Sequence, residues 1–402
     1  MINRYLISKI SRIKIEHMFI LIKIVFFYVY GNLVKVKNRL KKNEIWLINE
    51  DRYGANDNGY VFFIYLKKIH PQLKVFYALD KKSPYFKKMQ QYNNTIIWNS
   101  MQHWRIYFSA NKLISTQLGT APNSIIFALE ILGIIKNNRI FLQHGITMNY
   151  YKSLDYKNNK VKRFVCGSKP EYEFIKSSFH YPNENVVYTG FARFDNLHDI
   201  NVKKQIVIMP TWRSWLTSNM NSNKKHIEFI ESDFYINYMK VLNNKKLLKF
   251  IQCQNITIIF YLHRAMQEYC RYFVSESPNI IIADRFAYNI QNLLKESALM
   301  VTDYSSVSND FAYMKKPVIY YQYDFAKFRN LHGKQGYFSY QQDGFGPVIE
   351  DSDELVDEII NVFDKNLKID KKYLENIRKF YKIYDNKNCE RIFKMIKEIE
   401  RR

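Results

Sequence analysis

The stretch from Lys295 to Asp324, KESALMVTDYSSVSNDFAYMKKPVIYYQYD, limits the possible folds more than any other part of this chain. Its apolar run, Ala298 to Thr302, has no polar alternation and predicts a strand covered on both faces, as in a parallel sheet. A polar turn follows (Asp303-Tyr304-Ser305-Ser306), then a short helix and a second strand, Pro317 to Tyr321. At the start of such a helix the first backbone N–H groups lack intrahelical partners and the dipole is positive. That geometry suits phosphate oxygens, and the hydroxyls of Ser305 and Ser306 add donors. Ser and Asp are also ordinary helix caps, so the local pattern leaves a cap and a phosphate site both open.

The same alternation recurs along the chain. Strands are expected at Ile45–Asn49, Leu73–Leu79, Thr95–Trp98, Lys112–Ser115, Arg139–Leu142, Arg163–Cys166 and Val186–Tyr188. A second series follows at Gln205–Met209, Ile256–Leu262, Asn279–Ala283, Ala298–Thr302 and Pro317–Tyr321. Helical stretches such as Tyr60 to Ile69 and Pro170 to Ser178 lie between strands, which predicts parallel, doubly wound α/β sheets. A length of 402 residues exceeds one ordinary core, so two such domains are expected. Their boundaries fall at residues 45–200 and 201–370, with a basic segment over 1–44 and a Lys- and Glu-rich helix over 371–402.

Composition narrows the partners. With 47% hydrophobic and 16% aromatic residues the chain is globular, not disordered. A formal charge of +24 favours an anionic partner: nucleic acid, an acidic lipid surface or a phosphate-bearing substrate. The basic residues are spread widely, and no aromatic-interleaved basic face of a nucleic-acid-binding protein is visible. Four scattered cysteines form no CxxC pair, no acidic pair has metal-ligand spacing, and no secretory signal is evident. These features predict a reduced intracellular protein without a metal or cofactor. The first 45 residues carry ten Lys or Arg around the apolar stretch Met18 to Val34, interrupted by Lys23. A basic, aromatic-rich helix of this kind lies in the headgroup region of an anionic leaflet, or packs into the core with a solvated basic face; the stretch is short for a membrane span, the least favoured of the three readings.

Ligands of doubly wound sheets bind at the carboxyl ends of the strands. There the sequence places Asn49 to Gly59, dense in turn formers, then Gln143-His144-Gly145, and Thr189 to Asp195. In the second half come Pro210-Thr211-Trp212-Arg213, His263-Arg264 and Asp303 to Ser306. His144 is delivered to the rim by a strand, and its imidazole suits a general base, although packed histidines are common there. Arg213 offers planar bidentate donors for a diphosphate, or a surface ion pair.

In this order, LQHG (Leu142–Gly145), TGFARFD (Thr189–Asp195), MPTWR (Met209–Arg213), LHR (Leu262–Arg264) and VTDYSSVSNDFAYMKKPVIYYQYD (Val301–Asp324) resemble the CDP-glycerol glycerophosphotransferase family. WLINEDRYGANDNGY (Trp46–Tyr60) resembles the opening of that family's catalytic region. The resemblance covers roughly Ile45 to Phe363. It implies a GT-B architecture, two Rossmann-like domains facing across a cleft, and metal-independent transfer of a polyol phosphate from a CDP donor during teichoic acid or capsule synthesis. It implies that His144 is the base and that His263 lies near the donor phosphates. Thr211, Arg213, Arg264, Thr302, Asp303, Ser305, Ser306 and Asp310 would hold the donor, with Gly145, Asp57 and Asn58 on the acceptor side. Two positions depart from the family pattern: Gln143 before the HG pair, and Arg264 in place of a proline. The expected partners are a CDP-polyol, a lipid-linked or saccharide acceptor and the anionic cytoplasmic face of a bacterial plasma membrane, with no nucleic acid. The rival readings are a GT-B glycosyltransferase using a nucleotide sugar and a non-enzymatic basic binding protein.

Overall fold

Two sheets organise the chain in the computed structural model, which describes residues 15–41, 43–119, 121–217, 222–284, 287–331 and 335–399. Residues 1–14 and 42 of the expected basic segment, and 400–402 of the expected terminal helix, lie outside the described residues.

The first sheet contains β1 (Ile45–Asn49), β2 (Lys74–Leu79), β3 (Thr95–Ile97), β4 (Lys112–Ser115), β5 (Arg139–Phe141), β6 (Arg163–Cys166) and β7 (Val186–Tyr188). Their order is β3-β2-β1-β4-β5-β6-β7. The second contains β8 (Gln205–Met209), β9 (Thr257–Phe260), β10 (Ile280–Ile282), β11 (Leu299–Thr302), β12 (Val318–Tyr321) and β13 (Val348–Ile349), in the order β10-β9-β8-β11-β12-β13. β1 pairs in parallel with β2 and β4, and β8 with β9 and β11. Both sheets start at a central strand, build outward to one side, then resume on the other. This is the doubly wound Rossmann order, with switch points at β1/β4 and β8/β11. The expected α/β architecture is therefore the one observed. Strand ends differ from expectation by a residue or two, and β13 is too short to leave a pattern.

By packing, the first compact unit runs to His144 and takes in Tyr156–Phe164, while the second holds Gly145–Asp155 and the chain from Val165 onward. The expected boundary near residue 200 thus differs from the division observed. Residues after Val165 are tied to the last helices. Asp195 accepts N–H bonds from Asn388 (2.8 Å) and Cys389 (2.9 Å) at the start of the helix Asn388–Glu398. Arg391 Nε donates to the Thr189 carbonyl (2.8 Å), and the Ile383 N–H donates to the Tyr188 hydroxyl (3.2 Å). Sequence spacing carries no trace of these contacts.

The core of the first unit gathers Leu47, Ala78, Ile96, Leu113 and Ile126 with Trp104 and Phe108 of the helix Met101–Ser109. Ile24 and Phe27 of the first helix, Ile15–Leu40, join it. The Phe27 ring lies 6.0 Å from Trp104 and 6.5 Å from Phe108, and Lys23 Nζ sits 4.0 Å over the Trp104 ring. Lys23 thus faces the domain, not the apolar surface that it interrupts in sequence. The opposite face of the helix exposes Phe19, Ile22, Phe26, Val29, Leu33, Val36 and Leu40. In spacing and composition Phe19–Leu40 is long and apolar enough to cross a membrane. The second unit has its own core, including Ile206, Ile208, Tyr238, Ile258, Phe260, Leu299, Val301 and Ile359.

Close approach of the first helix to Met101–Ser109 depends on Gly31. A Cβ there would lie 2.3 Å from the Phe108 carbonyl oxygen. Gly31→Val should therefore force the two helices apart and destabilise the protein by about 1–3 kcal/mol. A lowered urea midpoint at unchanged slope would show it, whereas an unchanged midpoint would mean the contact is slack.

Candidate active site

In the first unit the functional edge begins with Glu50, the residue after β1. Its fully buried carboxyl group accepts three backbone N–H bonds, from Asn56 (3.0 Å), Asp57 (2.9 Å) and Tyr60 (2.7 Å), and so folds the turn-rich 49–59 segment around itself. Burial, assisted by the nearby charge of Asp57, pushes Glu50 up to about 8. Asp57 caps the following helix Asn58–Ile69, accepting from the Asn58 N–H (2.7 Å). The Asn58 side chain is buried and donates to the carbonyls of Leu142 (3.4 Å) and Gln143 (2.8 Å).

That last contact sets the turn after β5. Gln143 has a φ of 58°, a left-handed conformation that costs a non-glycine residue about 1 kcal/mol or more and persists only when surroundings impose it. Asn58 on the Gln143 carbonyl and the Leu142 N–H on the Ser115 carbonyl (2.7 Å) impose it here. The next residue, His144, is exposed. The acceptor-side expectation for Asn58 needs correction: its amide is committed to the backbone behind His144, and it acts as a support.

In the second unit the polar turns after β9, β8, β11 and β12 stand side by side, because those strands are neighbours. Arg213 sits among them and is fully buried. Its guanidinium donates to both oxygens of Asp324 (2.7 and 3.1 Å) and to the Thr211 carbonyl (2.6 Å), and pairs with Asp303 at 2.9 Å. Asp303 also accepts from the backbone N–H of Thr211 (2.8 Å) and Tyr304 (2.5 Å), and the Tyr304 hydroxyl donates to Asp324 (3.0 Å). The expectation that Arg213 and Asp303 contact a diphosphate is therefore corrected: each is buried and satisfied by the other. Thr302 is likewise buried, its hydroxyl donating to the Met209 carbonyl (2.6 Å). Asp310 forms a buried bidentate pair with Arg193 (2.6 and 2.8 Å), which removes it too from donor contact.

The accessible groups are different ones. Ser305 and Ser306 are half-buried, and Ser306 begins the helix Val307–Tyr313 without capping it through its side chain. Gly145 approaches Ser306 so closely that a Cβ would lie 2.5 Å from the hydroxyl oxygen. His263 and Arg264 are exposed after β9. The Nδ1 of His263 accepts the Ala265 N–H (3.2 Å), which leaves Nε2 as the proton-bearing nitrogen. Thr211 is only partly exposed at the switch point, and its hydroxyl oxygen is buried on the side of Asp303, so it is a support and not an accessible group. Among the described residues, no group of three or more His, Cys, Asp or Glu is placed to hold a metal ion.

Sequence reading missed the supports. Asp324 and Arg193 lie 111 and 117 residues from their partners, and nothing local pairs them. Glu171 is another: it ties the Thr147 N–H (2.6 Å) to the Gly167 N–H (2.7 Å) beyond β6. Glu50 stood in a recognised cluster, but only burial distinguishes it from its neighbours.

Two doubly wound sheets with hydroxyl- and histidine-bearing turns at their carboxyl edges define a GT-B protein, the class whose paired Rossmann-like domains hold nucleotide-activated substrates. Residues 31–398 match the profile of CDP-glycerol:poly(glycerophosphate) glycerophosphotransferases, and the chain belongs to that family. The minor teichoic acid biosynthesis protein GgaB of Bacillus subtilis (strain 168) is 32% identical over 367 residues, 89% of this chain and 40% of GgaB. The teichoic acid ribitol-phosphate polymerase TarK of Staphylococcus aureus (strain NCTC 8325 / PS 47) is 23% identical over 269 residues, 61% of this chain and 46% of TarK. The chain thus spans less than half the length of these two relatives. Among solved structures, the wall teichoic acid polymerase TagF superposes with a TM-score of 0.65 at 18% identity, covering 97% of this chain and 99% of that one. The S. aureus MnaA–UDP structure follows the same fold with a TM-score of 0.55 at 13% identity, covering 89% and 96%.

Arg193→Ala would strand the Asp310 carboxylate in the interior and should cost about 3–5 kcal/mol in denaturant unfolding. A loss below 1 kcal/mol would mean that water reaches Asp310. Glu50 makes a pH prediction. Its folded value, about 8, lies above its ordinary 4.5, so its contribution to stability is complete below the ordinary value and declines as pH rises toward 8. Glu50→Gln cannot ionise, so thermal unfolding of the variant should depend less on pH across that window; an unchanged slope would assign the dependence to other groups.

Proposed function

We propose that this chain transfers a polyol phosphate, glycerol phosphate or ribitol phosphate, from a CDP-activated donor to a hydroxyl of a lipid-linked or saccharide acceptor, releasing CMP. The observation carrying this reading is the placement of His144. It is an exposed imidazole on a backbone turn held from behind by Asn58, and it directly precedes a glycine that lies against Ser306.

In the reaction, His144 accepts the proton of the acceptor hydroxyl as its oxygen attacks the β-phosphorus. The bond from that phosphorus to the CMP oxygen breaks, and CMP departs with the electron pair. Such transfers depend on positioning and on stabilising charge that develops on the leaving phosphate. The Nε2–H of His263, the hydroxyls of Ser305 and Ser306 and the guanidinium of Arg264 supply that stabilisation. Arg213 and Asp303 contribute indirectly, by fixing the turns that carry Thr211 and Ser305. Asp57 and Gly145 shape the acceptor side.

The chain acts in teichoic acid or related cell-surface polymer synthesis, as a peripheral protein on the cytoplasmic face of the plasma membrane. Support for that placement comes from the first helix, which packs one face on its own domain and exposes an apolar stripe on the other. Lys35, Lys37 and Arg39 lie near the end of this helix and Lys41 just beyond it, a composition that suits an anionic leaflet.

His144→Ala should reduce CMP release from CDP-glycerol or CDP-ribitol by roughly 100-fold or more, the scale of a lost general base, while donor binding by calorimetry stays within about twofold. Normal turnover in the variant would remove His144 from the mechanism. Release of a nucleoside diphosphate from a sugar nucleotide, with none of CMP from either CDP-polyol, would assign the chain to the glycosyltransferases instead.

A further inference from the structure

The first unit contains a cavity of about 410 Å³ on the side away from the catalytic turn. Asn32, Lys35, Val36 and Arg39 of the first helix line one wall, near its carboxyl end. Asn111 and the Lys136–Asn138 segment line the other, and these residues immediately precede β4 and β5. The cavity therefore opens at the amino edge of the sheet, whereas His144 follows the carboxyl end of β5.

Its lining includes three cations and no carboxylate. Lys35 is held in place by Asn137, whose oxygen accepts from Nζ at 2.7 Å. Asn137 in turn donates to Glu130 (2.7 Å), a buried carboxylate that also accepts from the Tyr107 hydroxyl (2.6 Å) and lies 3.6 Å from Arg139. The Lys35 ammonium is thus fixed by a buried chain and partly dehydrated, and burial, opposed by Glu130, pulls it down to about 8. A dehydrated ammonium regains solvation when an anion binds beside it. Arg39 and Lys136 are exposed, and the asparagine amides add neutral donors. On the same turns of the helix Leu33 and Leu40 are exposed, and Val36 lies in the cavity wall itself. An anion bound here would have cations on one side and an apolar surface alongside, as a lipid phosphate has.

We propose that this cavity binds the phosphate headgroup of an anionic membrane lipid. The assignment rests on the reading that the first helix lies on a membrane surface, and it adds a defined headgroup site to what would otherwise be diffuse attraction.

The test is sedimentation of the full chain with phosphatidylcholine vesicles, with and without phosphatidylglycerol. Arg39→Gln/Lys136→Gln removes two cavity charges; Lys37→Gln/Lys41→Gln removes two exposed charges from the same region that do not line it. Each charge near an anionic surface is worth about fivefold in affinity, so both pairs should weaken binding, and the cavity pair should lose roughly tenfold more than the control pair. Equal losses would overturn the headgroup site and leave the membrane reading standing. Failure of the unaltered chain to bind anionic vesicles would overturn both. Calorimetric titration with inorganic phosphate separates the remaining source: tight binding abolished by the cavity pair, with equal vesicle losses for the two pairs, would make this a soluble-phosphate site and refute the lipid assignment.

Discussion

The second domain depends on one dehydrated cluster. Arg213 is fully buried and holds Asp303 and Asp324, residues that follow two adjacent strands of the sheet, while bonding the Thr211 carbonyl after a third. An unpaired guanidinium at this depth would be untenable, and so would either carboxylate alone. Because the three turns share one charge network, none can shift without exposing a buried ion. Ser305, Ser306 and Thr211 inherit their positions from that constraint. The residues best suited to meet a ligand are consequently neutral or exposed, and the strongly charged ones lie underneath.

The first domain solves the same problem without a cation. Glu50 gathers three backbone N–H groups, and the segment so folded presents Asn58 to the carbonyls behind His144. This support holds Gln143 in a left-handed conformation and turns the chain sharply just before the imidazole. The role proposed for His144 needs a fixed orientation, which a flexible loop would not give. Here the loop is anchored through the amide of Asn58.

Much of this was legible in the sequence. Unbroken apolar runs followed by polar turns identified twelve of the thirteen strands and the edge at which functional residues gather, because buried parallel strands leave that pattern wherever they occur. What could not be read was which polar residues touch a ligand and which hold the frame. Arg213, Asp303, Thr302 and Asp310 have the right chemistry in the right turns, yet all are buried among partners as many as 117 residues away. The division into compact units escaped for the same reason: the bonds of Asp195 to the start of the last helix join segments 193 residues apart. The first helix was ambiguous because it has two apolar faces, and a sequence shows how much apolar surface a helix has before it shows how much a neighbour covers.

The Arg213 cluster also bears on how such a protein can change over evolutionary time. Replacing Arg213 leaves two buried carboxylates without a cation, and replacing either aspartate leaves guanidinium N–H groups without their acceptor, so the trio is expected to be inherited as a block. Ser305, Ser306 and Arg264 carry no such obligation. Descendants can exchange them one at a time on an unchanged foundation, so the exposed edge of these turns is free to vary while the buried cluster beneath stays constant.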